Sequence, residues 1–219
     1  MNYYEKYIKY KYKYNNLKNR INQHGGNYDS LWIRENFFSK KEFEDIVKYC
    51  HPLKLKNDPR SSNRNSLCLN PNKHKTIYDY IYQNKKFRKL IDSIKNDNLK
   101  PKYDPSYPIE YRKYFTGSDG MGWHIDTSLF DPDCFEIVLT LTNTSDSKFE
   151  WKDNGKTNSL EPNPNTLVVV RPQSVPHSVT PINVGERTIL KFIIEFTYPG
   201  ETDNIKKYNF SDEIEKCPF

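Results

Sequence analysis

The chain after Pro108 is a succession of short strand patterns, and this feature restricts the fold more than any other. Apolar, aromatic and β-branched residues recur there in short runs bounded by Pro, Asn or Gly. The runs cover residues 109–115, 135–142, 149–152, 166–171, 178–182 and 188–196. The proline-rich stretch 99–108 before them is expected to be a connector. Several short strands at this spacing, after a helical first half, predict a double-stranded β-helix, that is, a jelly-roll or cupin-like core.

The first half of the chain carries helix patterns instead. Ser39 followed by Glu42 forms a capping box, which predicts a helix over residues 40–50. Apolar residues recur at steps of three and four over 75–84 and 86–94, which predicts two further helices. The expected class is therefore α+β, with helices packed on the N-terminal side of the jelly-roll core.

Residues 1–26 are expected to form a separate basic, amphipathic N-terminal helix, and 27–219 the main domain. Residues at a/d spacing form an apolar seam in this helix: Tyr3, Tyr7, Tyr10, Tyr14, Leu17 and Ile21. The seam favours docking on the chain's own domain or self-association through residues 2–23, and the lysines between its members leave an anionic partner as the alternative. Most of the formal charge of +6 lies in this segment. The remainder is nearly neutral, which argues against a nucleic-acid-binding domain.

Cysteine spacing and hydropathy favour an intracellular, non-secreted protein. The four cysteines (Cys50, Cys68, Cys134, Cys217) form no close pair and are expected to be reduced. No apolar run approaches the roughly 20 residues that a transmembrane helix needs. The N-terminus lacks the apolar segment of a secretory signal.

His124 and Asp126 are the first candidate site residues. Two residues apart on a β-strand, they would point to the same face. His177 follows 51 residues after Asp126, a gap that lets an early and a late core strand lie side by side. Two histidines and one carboxylate form a facial triad, which holds Fe(II) and leaves coordination positions open. These three residues are therefore predicted as metal ligands and catalytic residues.

Arg187 lies ten residues after His177, at the start of an apolar strand. A guanidinium entering a sheet interior is costly unless it meets an anion, and its planar fork suits a carboxylate. A dicarboxylate such as 2-oxoglutarate would give one carboxylate to Arg187 and chelate the iron with its 2-oxo acid end. Tyr114 is expected to hydrogen-bond the same co-substrate, with Tyr111 as the alternative.

The pattern Tyr114, His124-x-Asp126, His177 and Arg187 resembles the Fe(II)/2-oxoglutarate-dependent dioxygenases, most similarly the prolyl and lysyl hydroxylase type. The resemblance covers about residues 32–196. It implies iron on the triad, 2-oxoglutarate and dioxygen as co-substrates, ascorbate as a further candidate cofactor, and hydroxylation of a peptidyl proline or lysine.

The N-terminal segment resembles those of giant DNA virus proteins, which would imply host cytoplasm or virion as the location. Its run of alternating lysines and tyrosines, residues 6–14, carries this resemblance.

Two departures leave the substrate open. The region 143–151 lacks the glycine pair common in the family, and residue 171, often apolar there, is an arginine. Aromatic residues expected at the substrate mouth are Trp123, Phe130 and Trp151. The alternatives are a small-molecule hydroxylase, a nucleic-acid demethylase, for which Lys191 is a poor substitute for a second arginine, and a non-catalytic binding module on the same fold.

Overall fold

The structure is a computed structural model that describes residues 30–104, 107–128, 130 and 132–200. The expected N-terminal helix, its self-association and the domain boundary at residue 26 lie outside the described residues. The helices within the described part are α1 (Lys40–Cys50), α2 (Lys75–Tyr82) and α3 (Lys85–Ile94). The strands are β1 (Leu31–Arg34), β2 (Lys56–Asn57), β3 (Arg64–Leu69), β4 (Lys100–Lys102), β5 (Ile109–Phe115), β6 (Met121–His124), β7 (Cys134–Asn143), β8 (Phe149–Asp153), β9 (Lys156–Leu160), β10 (Leu167–Val170), β11 (His177–Val179) and β12 (Glu186–Thr197).

The strands form two antiparallel sheets. The large sheet has eight strands in the order β1-β10-β7-β12-β5-β3-β2, with β4 also paired to β12. The small sheet has the order β6-β11-β8-β9. Sequence neighbours are mostly not spatial neighbours, as expected when strands cross between two sheets. The predicted jelly-roll class is confirmed.

The two faces of the large sheet differ in character because side chains alternate along each strand. On one face, Leu190 and Phe192 of β12 and Ile137 and Leu139 of β7 belong to the main hydrophobic core. The apolar residues of the three helices pack into the same core: Ile46, Cys50, Ile77, Tyr78, Ile81, Tyr82, Phe87 and Ile91. The opposite face of the sheet holds Arg187, and the candidate site forms there.

The helix predictions agree closely with the structure. At the start of α1, the Ser39 amide donates to Glu42 Oε2 at 2.8 Å and the Glu42 amide donates to Ser39 Oγ at 3.4 Å. This reciprocal pair satisfies two donors that the helix leaves free at its N-terminus.

Strands β4 and β9 are not among the expected strands. The stretch 99–108 is not a connector throughout, because β4 lies within it and pairs with the end of β12 at the sheet edge, a position that tolerates Pro101. Strand β9 was not expected, because its sequence, Lys-Thr-Asn-Ser-Leu, is mostly polar. Pairing with β8 makes it a strand.

The cysteines only partly follow the expectation. Cys50 and Cys134 are buried and do not form disulfides. Cys68 on β3 is disulfide-bonded, so the expectation that all four cysteines are reduced is wrong for Cys68. Spacing along the sequence does not show which thiols meet in three dimensions. None of the described helices is long and apolar enough to cross a membrane.

Candidate active site

Pairing of β6 with β11 brings the two candidate histidines together. His124, the last residue of β6, lies directly opposite His177, the first residue of β11. Their ring centroids are 4.3 Å apart. The expectation that an early and a late strand lie side by side is thus met by an antiparallel pair in the small sheet.

Asp126 reaches the histidines from a loop. The prediction that it shares a strand with His124 is wrong, since β6 ends at His124. The loop is held by the Gln173 amide, which donates to the Asp126 carbonyl at 2.7 Å. A loop hydrogen bond, and not strand pairing, therefore holds the backbone that carries the carboxylate.

The three side chains converge with metal-ligand spacing. One ligand atom from each of His124, Asp126 and His177 lies within 4.8 Å of the others. Asp126 Oδ1 is 3.4 Å from His124 Nε2, and Asp126 Oδ2 is 3.3 Å from His177 Nε2. His177 is buried and the other two residues are partly exposed, so the cluster opens to solvent on one side.

Backbone hydrogen bonds fix the tautomer of both rings. His124 Nδ1 lies 2.7 Å from the Gly122 carbonyl and His177 Nδ1 lies 2.9 Å from the Val175 carbonyl. A carbonyl oxygen only accepts, so each Nδ1 carries the hydrogen. In the neutral rings, both Nε2 lone pairs then face the Asp126 carboxylate. Three converging electron-pair donors of this kind fit a divalent metal.

Arg187 is buried, and no described residue is its acidic partner. It is 6% exposed, and its side chain makes no hydrogen bond or ion pair within the described part of the chain. It lies opposite Tyr114 across β12 and β5, with its guanidinium 5.7 Å from the centre of that ring. Burial lowers the pKa of Arg187. A buried guanidinium of this kind needs an anion, and the described residues do not supply one.

The two candidate tyrosines lie on opposite faces of β5. Tyr114 shares the face of Arg187, whereas Tyr111 packs in the main hydrophobic core beside Leu190. The alternative of Tyr111 as the co-substrate residue therefore does not fit the geometry. Its phenol faces the helices.

The sequence interpretation did not identify a charged network behind Tyr114. Asp58 accepts from Arg60 Nε at 2.8 Å and pairs with Arg64 Nη2 at 2.9 Å. Glu110 accepts from Arg112 Nε at 2.8 Å. Arg112 was detectable, because it shares a strand face with Tyr114. Asp58 and Arg60 lie in a segment with only a polar-loop signal.

This network sets the pKa of its acids. Burial alone would raise the pKa of Tyr114, but the charge and hydrogen bond of Arg112, with the charges of Arg64 and Arg187, lower it below the ordinary value. Burial would likewise raise the pKa of Asp58, and hydrogen bonds from Arg60 hold it well below its usual range. The environment thus favours negative charge.

A cavity of about 160 Å³ joins this cationic region to the strands that carry the histidines. Arg60, Arg64, Tyr114 and Arg187 form part of its wall, and Met121 and Val179 form another. Met121 and Val179 are cross-strand partners on β6 and β11. A single cavity therefore has guanidiniums at one side and the histidine-bearing strands at the other.

The structure places the residues expected at the substrate mouth in different surroundings. Trp123 is 43% exposed on β6 and lies under the Lys152 ammonium, 4.6 Å from the ring centre. Trp151 stacks on Phe149 and lies opposite His177 on the neighbouring strand. Phe130 instead packs edge-on against Tyr107, at 6.0 Å.

Arg171 has a structural explanation. Its guanidinium lies 5.9 Å from the ring centre of Trp32 and 5.3 Å from that of Phe135, and its Nη2 donates to the Ile94 carbonyl at 3.3 Å. It joins the end of α3 to the large sheet. Its departure from the family pattern therefore does not concern the candidate site.

Comparisons with known proteins agree with this architecture at the level of fold. No protein-family model matches the chain, and no curated protein matches its sequence. Among solved structures, a prolyl-4-hydroxylase from Pseudomonas putida superposes with a TM-score of 0.58 at 19% identity, covering 78% of this chain and 94% of the other. A Trichoplax adhaerens prolyl hydroxylase, solved with a peptide fragment of the hypoxia inducible factor oxygen degradation domain, gives 0.60 at 15% identity, covering 77% and 84%.

A third neighbour binds a metal and 2-oxoglutarate. HygX from Streptomyces hygroscopicus, solved with nickel, 2-oxoglutarate and hygromycin B, gives a TM-score of 0.57 at 9% identity, covering 75% of this chain and 82% of the other. The chain therefore has the jelly-roll fold seen in solved 2-oxoglutarate-dependent oxygenases.

Proposed function

We propose that the protein is an Fe(II)- and 2-oxoglutarate-dependent dioxygenase that hydroxylates a C–H bond, with a peptidyl proline or lysine as its substrate. The observation that carries the proposal is the buried guanidinium of Arg187, which has no acidic partner in the described residues and shares a cavity with the strands of the histidines. A metal triad alone fits many chemistries. A triad with a buried carboxylate-binding group fits a dicarboxylate co-substrate.

Each residue has a distinct task. His124, Asp126 and His177 would hold the iron, and the carbonyls of Gly122 and Val175 keep both imidazoles in the ligating tautomer. Bound iron would supply the redox chemistry: one atom of dioxygen would enter succinate, formed with CO₂ from 2-oxoglutarate, and the other would enter the substrate C–H bond.

Residues on the arginine side of the cavity would orient the co-substrate. Arg187 would bind the distal carboxylate, and Tyr114, whose hydroxyl is 3.4 Å from Arg112 Nη1, keeps its own hydrogen available for donation. Fixing the distal end leaves the 2-oxo acid end free to face the triad. Ascorbate would act only as a reductant from solution.

The substrate proposal rests on the neighbours and on the exposed surface beside His124. Two of the structural neighbours are prolyl hydroxylases, one of them with a bound peptide. Met121, Trp123 and Ile125 are exposed next to the metal ligands, which suits an extended chain with apolar side chains. HygX with its bound hygromycin B keeps a small molecule as the second candidate. A nucleic acid is disfavoured because Lys191 is paired with Glu136 at 2.8 Å.

The test is turnover by purified protein. With Fe(II), ascorbate and 2-oxoglutarate, we expect succinate to form slowly, and faster with a proline- or lysine-containing peptide that is hydroxylated. Asp126→Ala should abolish both. Absence of succinate with every peptide and small molecule, despite bound iron, would favour the non-catalytic binding module.

A further inference from the structure

Two buried arginines, not one, flank Tyr114 at the distal end of the cavity. Arg187 on β12, Tyr114 on β5 and Arg64 on β3 are register partners across three adjacent strands, so their side chains leave the same face of the sheet. The guanidinium carbons of Arg187 and Arg64 lie 5.7 Å and 5.8 Å from the centre of the Tyr114 ring. Both arginines line the cavity.

Both arginines also have unused hydrogen-bonding capacity. Their Nε atoms are buried and have no acceptor among the described residues. Arg64 is 7% exposed and uses Nη2 for Asp58, at 2.9 Å. A buried N–H without an acceptor costs about 1–3 kcal/mol. Two such donors at one cavity wall indicate an acceptor that the described residues do not supply.

Asp58 gives Arg64 a fixed position. The same carboxylate is held by Arg60, through Nε at 2.8 Å and Nη2 at 2.7 Å. Asp58 is 2% exposed and therefore cannot swing away into solvent. Arg64 is thus oriented before any ligand arrives, which lowers the cost of ligand binding.

We infer that Arg64 is a second co-substrate-binding residue, which together with Arg187 binds the distal carboxylate of 2-oxoglutarate. A carboxylate has two oxygens that together accept several hydrogen bonds, so two guanidiniums and the Tyr114 hydroxyl can all donate to it. Asp58 is the positioning residue for Arg64. This inference rests on the proposed function and adds a specificity-determining residue to it.

The experiment separates the distal end from the iron. Protein freed of metal with EDTA is titrated with 2-oxoglutarate and with glutarate, which lacks the 2-oxo group, by isothermal titration calorimetry. We expect both to bind, and Arg64→Met to weaken both by roughly 10- to 100-fold, as for loss of a charge-assisted hydrogen bond. Arg187→Met should weaken them at least as much. Arg34→Met, at an exposed arginine outside the cavity, is the matched control.

A conservative variant separates a loss of ligand binding from a loss of folding. Arg64→Lys keeps a cation beside Asp58 without the planar fork, and should fold and bind both ligands less tightly than wild type. In metal-loaded protein, Arg64→Met should raise the KM for 2-oxoglutarate more than it lowers kcat.

The outcomes distinguish the two claims. Wild-type affinity in folded Arg64→Met and Arg64→Lys, together with loss in Arg187→Met, overturns the role of Arg64 alone. Unchanged affinity in Arg187→Met as well would mean that the cavity is not the co-substrate site, and the proposed function would then fail.

Discussion

Arg187 shows how a single residue can define a site. Its side chain is buried on the face of the large sheet opposite the helices, and it has no acidic partner in the described residues. The other arginines near Tyr114, by contrast, each pair with a carboxylate: Arg60 and Arg64 with Asp58, and Arg112 with Glu110. Among the described residues, carboxylates thus pair with three of the guanidiniums, and that of Arg187 has none.

Removing this guanidinium should separate co-substrate binding from metal binding. We expect Arg187→Met to raise the KM for 2-oxoglutarate by roughly 100-fold, in line with the loss of a buried charge pair, while Fe(II) affinity stays within about twofold. Steady-state kinetics and metal titration measure the two effects. Equal loss of metal affinity would show that Arg187 supports the fold of the site.

Tyr114 should make co-substrate binding sensitive to alkaline pH. The surrounding guanidiniums of Arg64, Arg112 and Arg187 lower its pKa below the ordinary value of about 10. The phenolate therefore forms at lower pH than in a free tyrosine and competes with the carboxylate for the same cations. The nearby acids Asp58 and Glu110 are paired with arginines.

The expected sign is a fall in 2-oxoglutarate affinity as pH rises from 7.5 towards 10, roughly tenfold per pH unit once the phenol is ionised. Calorimetric titration across this range measures it. In Tyr114→Phe the steep fall should disappear, even though the affinity at neutral pH is lower. A fall of the same steepness in the phenylalanine variant would assign the titration to another group.

At the scale of elements, glycines and caps control where the site residues lie. Gly185, with φ +81°, precedes β12. A Cβ at this position would collide with the carbonyl of Thr144 on the neighbouring segment. The start of β12, and with it Arg187, therefore depends on a residue without a side chain.

Gly185→Ala should displace the start of β12. We expect a several-fold higher KM for 2-oxoglutarate and a destabilisation of about 1–3 kcal/mol from the strained backbone, with metal affinity retained because the histidines lie on the other sheet. Kinetics and chemical denaturation provide the measurements. Gly155→Ala, also at positive φ (+74°) but with open space around it, is the control for backbone strain without the collision.

The cap of α1 should contribute to stability only. Ser39→Ala removes the acceptor for the Glu42 amide and is expected to cost about 1 kcal/mol, a fall in Tm of about 2–4 °C for a domain of this size. Turnover at 25 °C should not change, since α1 lies on the face of the large sheet opposite to Arg187. A changed KM would indicate coupling between the helix layer and the cavity.

At the scale of the whole molecule, the site depends on both sheets. The small sheet positions His124 and His177, and the large sheet positions Tyr114 and Arg187. Metal and co-substrate together would therefore join the two sheets. A ligand that binds only the native state stabilises that state by mass action.

A redox-inert divalent metal should thus raise the melting temperature. With Ni²⁺ at 100 times its Kd, about 2.7 kcal/mol of added stability is expected. 2-oxoglutarate should raise the melting temperature further, unless both the metal and the Arg187 guanidinium are absent. Differential scanning fluorimetry measures both. Asp126→Ala should remove the metal-dependent rise, and a rise that persists in this variant would place the metal elsewhere.

The sequence by itself determined the periodic parts of the protein, namely the capped helix α1 and the long apolar strands β7 and β12, and it supplied the residue types of the candidate metal site. These follow from local rules, because capping and side-chain alternation act within a few residues. Only the tertiary structure placed Asp126 in a loop, turned Tyr111 away from the cavity and brought Asp58, Arg60 and Arg64 behind Tyr114. The ion pairs of Asp58 with Arg60 and Arg64 are local, but their position beside Tyr114 depends on the pairing of β3 with β5. Those strands lie far apart in the chain, and no local pattern predicts that they meet.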